Sequence, residues 1–492
     1  MTNLSTDLRI DRNVPAWHTV TLLTTLLVLG LLISTRPLTD VALASAVVVS
    51  VVLLLRWPWL IWPALAVLLP FSSSLRIGPV TGTEFILCAA VGLWLMDGAR
   101  RGSLQLFSHP VAILPLLYAT VLLLSLLSAI GLAEGIAEVV KWAEFALVVA
   151  LLPAMTAGKN SIWTAVALIA GAVGQSILGL YQFWYQIGPE WFVLFGRYMR
   201  ASGTFRQPNP YAGYLGILLP IAVSLAVWAW ANLFKAGKWR ISGLAWAGYF
   251  SGAALVILAG LLASWSRGAW LAGLAALLVV VAVRSRWGML LAVMAGTMAL
   301  MAGATALISA TRLPPQLQLR LQGVTDLMKP GQLLIAPVTD ENFALIERLA
   351  HWVAGFRMWA SAPWLGIGAG NYELAYSQVN MPVWTEPLGH AHNLYLNILA
   401  ETGLVGFIVF MVFWFGLAGW AWRCIRRDCG CGSDWCAAMA AGVLGSMTYL
   451  TIHNVVDVLF VQGNYLALAL PVAVLVSGAS NKTFLDPPST VT

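Results

Sequence analysis

The strongest constraint in this sequence is its succession of apolar runs, each about 20 residues long and so long enough to cross a bilayer core as a helix. Backbone polar groups inside a bilayer must be satisfied within the chain, and a helix does this one segment at a time. Of 492 residues, 60% are hydrophobic and only 10% charged. Soluble domains carry about 25% charged residues, so an ordinary water-soluble enzyme is excluded. Many of the 24 tryptophans stand at the ends of apolar runs, among them Trp57, Trp59, Trp142, Trp184, Trp239 and Trp287. That is the interfacial belt of a helical bundle.

The expected fold is an all-α polytopic membrane protein with about 12–14 transmembrane helices. The candidate spans are 17–35, 38–55, 57–72, 82–98, 109–131, 135–156, 161–184, 210–232, 242–263, 268–284, 287–310, 393–422, 436–456 and 460–479. The polar N-terminus lacks a small-residue cleavage site after a short apolar core, so no removable signal peptide is expected. With the N-terminus inside, the short inner loops hold Arg56, Arg100, Arg101, Lys159, Lys235, Lys238, Arg240, Arg284, Arg286, Arg423, Arg426 and Arg427. The short outer turns hold only Arg36, Arg76 and Arg267. This asymmetry is the positive-inside pattern, and it puts both termini in the cytoplasm.

Two longer segments then fall outside, at 185–209 and 311–392. The second is too long for a passive connector and reads as one large extracytoplasmic loop. The chain divides into N-terminal spans (1–184), central spans with external arginine loops (185–310), the loop subdomain (311–392) and C-terminal spans (393–492). Within the loop, Leu345, Leu349, Trp352, Phe356 and Trp359 recur at helical spacing and predict an amphipathic helix ended by Pro363. The net charge of +7 is scattered among the spans and implies no nucleic-acid partner. Cys424, Cys429, Cys431 and Cys436 fit no standard zinc spacing and read as reduced thiols of an inner loop.

Four polar motifs meet the outer face: "RYMRASGTFRQPNPYAGY", "ASWSRGAW", "ERLAHW…GIGAGNY" and "EPLGHAHNLYLNILAETGLVG". Arginines at helix ends often only snorkel to headgroups, and Arg197 reads that way. Arg267 differs, because a tight outer turn is where positive charge is disfavoured. "GIGAGN" follows a helix rather than a strand, which excludes a nucleotide loop and leaves a tight turn or an anion-binding nest. Glu134, Glu138, Lys141 and Glu144 share a helix face, as do Asn393, Asn397 and Glu401. His453 and Asp457 form a further pair at four-residue spacing, and Gly403 and Gly406 favour close helix packing.

Together "RASGTFRQPN", "SWSRGAW", "ERLAHW…PWLGIGAGNY" and "HAHNLYLNILAETGLVG" resemble the O-antigen ligase and polymerase superfamily of bacterial membrane glycosyltransferases, over roughly residues 195–480. The resemblance implies a GT-C-like fold in the bacterial cytoplasmic membrane with an extracytoplasmic active site. It also implies transfer of a glycan from an undecaprenyl-diphosphate carrier to the hydroxyl of a lipid, glycan or protein acceptor, with inversion and with neither metal nor other cofactor. Arg200 and Arg267 match the family's diphosphate-binding arginines, and His392 its essential histidine. Arg206, Arg348, Asn209, Asn393, His390 and Glu401 are the expected substrate-binding set. Arginine forks suit phosphate oxygens, which agrees with this chemistry. A polymerase, a protein O-oligosaccharyltransferase and a transporter of lipid-linked glycans remain the alternatives; a transporter would not need the histidine pair.

Reporter fusions test the topology. Fusions after Pro337 and Gly389 should report outside, and fusions at Lys238 and Asp428 inside. A cytoplasmic signal from the 311–392 loop would remove the basis for every site assignment.

Overall fold

A computed structural model describes residues 37–71, 76–77, 80–104, 109–156, 160–194, 196–237, 240–308, 331, 337–339, 342–427 and 433–480. The expected span at 17–35 lies outside the described residues, as do Cys429, Cys431 and most of the loop before 337. The chain forms two compact units that meet in sequence after Leu60. The first contributes helix α1 (Leu38–Arg56), which ends with the Arg56 guanidinium 5.5 Å from the Trp57 ring.

The second unit holds α2 (Ile61–Leu68), α3 (Gly82–Arg101), α4 (Ile113–Ser125), α5 (Leu132–Met155), α6 (Ser161–Tyr185), α7 (Pro208–Lys235) and α8 (Ile241–Ala263). It continues with α9 (Arg267–Ala282), α10 (Arg286–Ile308), α11 (Phe343–Ser361), α12 (Tyr372–Val379), α13 (Leu394–Ile425), α14 (Asp434–His453) and α15 (Asn464–Ser480). Among the described residues, strand structure is limited to two short hairpins, Arg76–Ile77 with Val80–Thr81 and Val193–Leu194 with Tyr198–Met199. Seven described helices are long and apolar enough to cross a membrane, and further apolar helices are shorter. The protein is an all-α, multi-pass membrane protein. Local chemistry sets the helix ends. Thr81 and Glu84 form a reciprocal capping box at the start of α3, and Gly102, at φ +66°, ends it after Arg100 and Arg101.

Helix α14 is the axis of the second unit. It packs against α7, α9 and α13, and its glycines allow close approach. A Cβ on Gly442 would come within 2.8 Å of the Ile221 Cα, and one on Gly445 within 2.7 Å of the Pro220 Cβ. Its 20 residues span about 30 Å, the thickness of a bilayer core. At its first residue Asp434 pairs with Lys235, at 3.0 Å, and with Arg427. Two of the basic loops expected inside, those of Lys235 and Arg427, thus meet at one end of α14. Arg200, His392 and Asp457 gather at the other end, beside His453.

Several sequence expectations shift. Helix α14 stops at His453, so Asp457 lies in the following turn and does not form an in-helix pair with it; the His453 Nδ1 instead lies 2.9 Å from the Tyr449 hydroxyl. Helix α11 buries Ile346, Leu349, Ala350, His351, Ala354 and Met358, while Phe356 is exposed. The buried face is therefore rotated by about one residue from the large-apolar stripe, because small residues make the close contacts with α12 and α13. Cys436 is disulfide-bonded, which corrects its reading as a reduced thiol, whereas Cys424 is a buried thiol.

Gly403 does not serve helix–helix packing. It interrupts α13 at φ +62°, ψ −166°, a conformation that only glycine adopts readily. The peptide groups freed by the break are taken up by the loop after α11: Leu404 N donates to Pro363 O at 2.9 Å and Val405 N to Trp364 O at 3.2 Å. A Cβ on Gly403 would collide with the Trp364 carbonyl group. Gly403→Ala should cost about 1–3 kcal/mol and lower the melting temperature in detergent. Gly419→Ala is the control, since nothing lies within 4 Å of the position its Cβ would occupy. Equal melting temperatures for the two variants would contradict this account of the break.

Candidate active site

The motif "HAHN" folds around its own backbone. The Asn393 side chain caps α13 by accepting from Leu396 N at 3.0 Å. One turn further, Asn397 Oδ1 accepts from Ala391 N at 2.9 Å. The chain reverses so tightly between them that His392 takes a left-handed φ of 49°. For a branch-free but bulky residue this is strained, and such strain collects at functional sites. Of the five non-glycine residues with positive φ among the described residues, Trp265 and Gln462 also border this region.

His392 is partly buried, and both of its ring nitrogens lack a hydrogen-bond partner among the described residues. Its Nδ1 stands 3.8 Å from Asp457 Oδ1, too long for a hydrogen bond but poised to form one. Asp457 is buried, and it accepts from Val458 N at 2.8 Å and from Asn209 Nδ2 at 2.7 Å. Asn209 in turn accepts from Arg200 Nη2 at 3.1 Å, and Arg200 Nε donates to Ser264 O at 3.0 Å. Hydrogen bonds therefore join the 196–209 segment, the α8–α9 turn and the turn after α14, and the histidine motif stands 3.8 Å from their end. Those segments lie far apart in sequence.

Arg267 begins α9 in the same neighbourhood: a Cβ on Gly268 would come within 2.9 Å of the His453 ring. Arg348 donates from Nε to Val456 O at 3.1 Å, one residue from Asp457, and its charge acts on that of Arg267. Arg200, Arg267 and Arg348 therefore surround the Asp457 turn, an arrangement suited to a multiply charged anion. Arg206 is exposed, and among the described residues no contact joins it to this group. Arg197 lies 5.3 Å from the Tyr198 ring, as a surface cation–π pair.

Glu401 is buried and faces away from the arginines, accepting from Tyr372 N at 3.1 Å. The "GIGAGN" turn closes over it: Ile367 N and Gly368 N donate to the carbonyls of Ala400 and Glu401. Asn371 clamps the same turn to Gly131 through both ends of its amide. With those amides engaged, the turn is a packing element rather than an anion nest.

Three further participants were not singled out as site residues. Asp457 had been paired with His453 but not with His392. Glu347, which burial pushes above the usual carboxylate range and the charges of His392 and Arg348 partly pull back, stands one residue before Arg348. His351 lies under the motif, its ring 5.4 Å from that of His392. Their signal in the sequence was position alone, since "ERLAHW" puts Glu347, Arg348 and His351 within about one helical turn.

Burial raises the Asp457 carboxyl, but the neighbouring His392, His390 and His453 rings outweigh it and hold the group well below its usual range. Burial and the adjacent His392 pull His390 down to about 4, and burial with the same neighbour pulls His351 to about 3. His390 Nδ1 accepts from His392 N at 3.2 Å, so the neutral ring carries its proton on Nε2. His390 is thereby a donor. His392, with Nδ1–H turned toward Asp457, keeps a lone pair on Nε2 and can accept a proton. His390, His392 and Asp457 also offer ligand atoms within 4.8 Å of one another, a spacing that a divalent cation fits.

Residues 252–411 match the O-antigen ligase family. The match supports the resemblance to the O-antigen ligase and polymerase superfamily. The matched segment contains Arg267, Arg348, His390, His392, Asn393 and Glu401, whereas Arg200, Asn209 and Asp457 reach the site from outside it. No curated protein matches the chain.

The depressed histidines carry a pH signature. Unfolded, they titrate near 6.5; folded, they stay neutral down to about 4 and about 3. Stability from these sites is complete above 6.5 and is lost as the pH falls through the interval between unfolded and folded values. Thermal unfolding at pH 5 should show a loss on the order of 1–2 kcal/mol per histidine relative to pH 7.5. His351→Phe should flatten that slope, and an unchanged slope would show that His351 is not held neutral.

Proposed function

We propose that the protein is a glycosyltransferase of the bacterial inner membrane. It moves a glycan from an undecaprenyl-diphosphate carrier to an acceptor hydroxyl at the extracytoplasmic face. The observation that carries this reading is the hydrogen-bonded line Arg200–Asn209–Asp457 with the His392 ring 3.8 Å beyond it, which brings cations for a diphosphate beside a base for a hydroxyl.

In the proposed step His392 Nε2 accepts the proton of the acceptor hydroxyl as its oxygen bonds to the anomeric carbon. The bond from that carbon to the phosphate oxygen breaks, and the electron pair leaves with the diphosphate. Arg200, Arg267 and Arg348 hold the departing charge, the role a metal plays in other phosphate chemistries. Asp457 positions His392 and stabilises the imidazolium, as a buried carboxylate does for a general base elsewhere. Attack opposite to the leaving group inverts the anomeric centre. The left-handed turn at His392 sets the ring at the start of α13. Arg206 and Asn393 have lesser parts: Arg206 meets the donor from the surface, and Asn393 holds the helix start.

His392→Ala should reduce transfer by about 10²–10⁴ while retaining undecaprenyl-diphosphate binding. Asp457→Asn should fall between that variant and the parent, and His390→Ala should be milder. Arg267→Lys should lose donor affinity, because lysine keeps the charge but lacks the fork. The reverse ranking of the two histidines would transfer the role of base to His390. A second reading follows from the spacing of His390, His392 and Asp457. Turnover is expected to survive a divalent-cation chelator; loss that added zinc or manganese restores would instead make the three residues a metal centre.

A further inference from the structure

A cavity of about 520 Å3 lies between α3, α5, α13 and the turn before α15, and acceptor groups dominate its lining. That size is typical of pockets for small ligands. Glu84 on α3 and Glu134 and Glu138 on α5 supply carboxylates, and Lys141 is the one lysine or arginine in the walls. Its Nζ lies 2.5 Å from Glu138, so those two charges offset each other. Among the described residues neither Glu84 nor Glu134 has an ion-pair partner. Glu84 accepts from Thr81 N through one oxygen, which leaves the other for a ligand. His390 also lines the cavity, but burial and the adjacent His392 keep that ring neutral down to about 4.

Two further oxygens in these walls lack partners among the described residues. Thr83 is 5% exposed, and its Oγ1 makes no hydrogen bond. Gln462 Oε1 is likewise unpartnered. A buried acceptor without a donor costs free energy that a ligand N–H would recover. The fold itself shows which group suits these walls. The Lys141 ammonium stands against both the Glu138 carboxylate and the Trp142 ring, 6.0 Å from the ring centre. Charge and cation–π attraction thus already hold one alkyl ammonium here. The ring that does so is fixed, because Tyr118 packs on its edge at 4.9 Å and Phe460 at 5.1 Å.

The number and spacing of these groups select the occupant. Unpaired carboxylates repel an anion, and a neutral ligand would leave their charges uncompensated. A metal ion needs several ligand atoms converging on one point. Among the described residues no three of these carboxylates bring ligand atoms within 4.8 Å of one another, a spacing met only at His390, His392 and Asp457. The positive charge must therefore be spread out, as it is on an alkyl chain with an ammonium at each end. An ammonium has three donors and no acceptor, which matches a lining of carboxylates, a hydroxyl and an amide oxygen. We propose that this cavity binds a linear diamine, with Glu84, Glu134, Thr83 and Gln462 as partners of its ammonium groups and the aromatic wall against its methylenes. The site stands apart from group transfer and does not depend on His392 being a base.

The test uses the full-length protein in phosphatidylcholine nanodiscs, whose lipids carry no net charge, and equilibrium binding of radiolabelled 1,5-diaminopentane at low ionic strength. Binding should saturate at one molecule per chain, and 1,5-pentanediol, of similar length but uncharged, should not compete. Glu84→Gln should weaken binding about tenfold. Its melting temperature should match the parent's, because glutamine still closes the capping box with Thr81. Thr83→Val should weaken binding to a similar degree. Glu190→Gln, at an exposed acid outside the cavity, and His392→Ala should both bind as the parent does. Binding that does not saturate, that survives undiminished in both cavity variants, or that Glu190→Gln weakens as much as Glu84→Gln would overturn the proposal. Competition by millimolar magnesium would overturn it in favour of an inorganic ion. Competition by phosphatidylethanolamine added to the nanodisc would overturn it in favour of a lipid headgroup.

Discussion

A single buried carboxylate, Asp457, holds this end of the protein together. An unpaired charge in a low-dielectric interior costs several kcal/mol, so its surroundings must supply donors. They come from Asn209 on α7 and from the following peptide at Val458, with the His392 ring facing the same carboxylate at 3.8 Å. The turn that carries Asp457 is pinned in turn. Leu394 N donates to Asn454 O at 2.9 Å, Leu459 N to Asn454 Oδ1 at 2.9 Å and Arg348 Nε to Val456 O at 3.1 Å. Four segments distant in sequence are thus fixed relative to one another by the solvation needs of one acid.

That dependence explains what the sequence could and could not disclose. Thirteen of the expected spans coincide with described helices, because the bilayer imposes a length and a polarity on each span independently of its neighbours. The histidine motif was legible for a similar local reason: Asn393 caps the very helix whose start the sequence marks. Asp457 was not legible as a partner of His392, since nothing local distinguishes a carboxylate four residues after a histidine from an ordinary in-helix pair. Only the end of α14 at His453 moves it into the turn. The buried face of α11 was misplaced because hydrophobic size was read as burial. In a crowded helix contact the small residues, Ala350 and Ala354, go inside and Phe356 stays out.

The break at Gly403 shows how the two halves of the site are separated. Above it, the first turns of α13 carry Asn397 and Glu401, which hold the histidine loop and the glycine turn respectively. Below it, Phe410 and Phe413 pack against Tyr118 and Trp142, and Trp414 stacks on Phe410. A regular helix would leave no place for the 363–365 segment to dock. The kink trades two in-helix hydrogen bonds for bonds to that segment, so the loop subdomain is attached to the membrane part through α13 itself.

Charge is partitioned accordingly. The three arginines are gathered with Asp457 and Glu347 around the Asp457 turn, and a second group, Glu138 with Lys141, is set apart from them on α5. In water such a division would be screened within about 8–10 Å. Among buried helices screening is much weaker, so the arginines and the Asp457 carboxylate act strongly on one another. The charge pattern of this region is therefore set before any ligand is bound. It comes from where α5, α9, α11 and α13 place their charged residues relative to a single strained histidine.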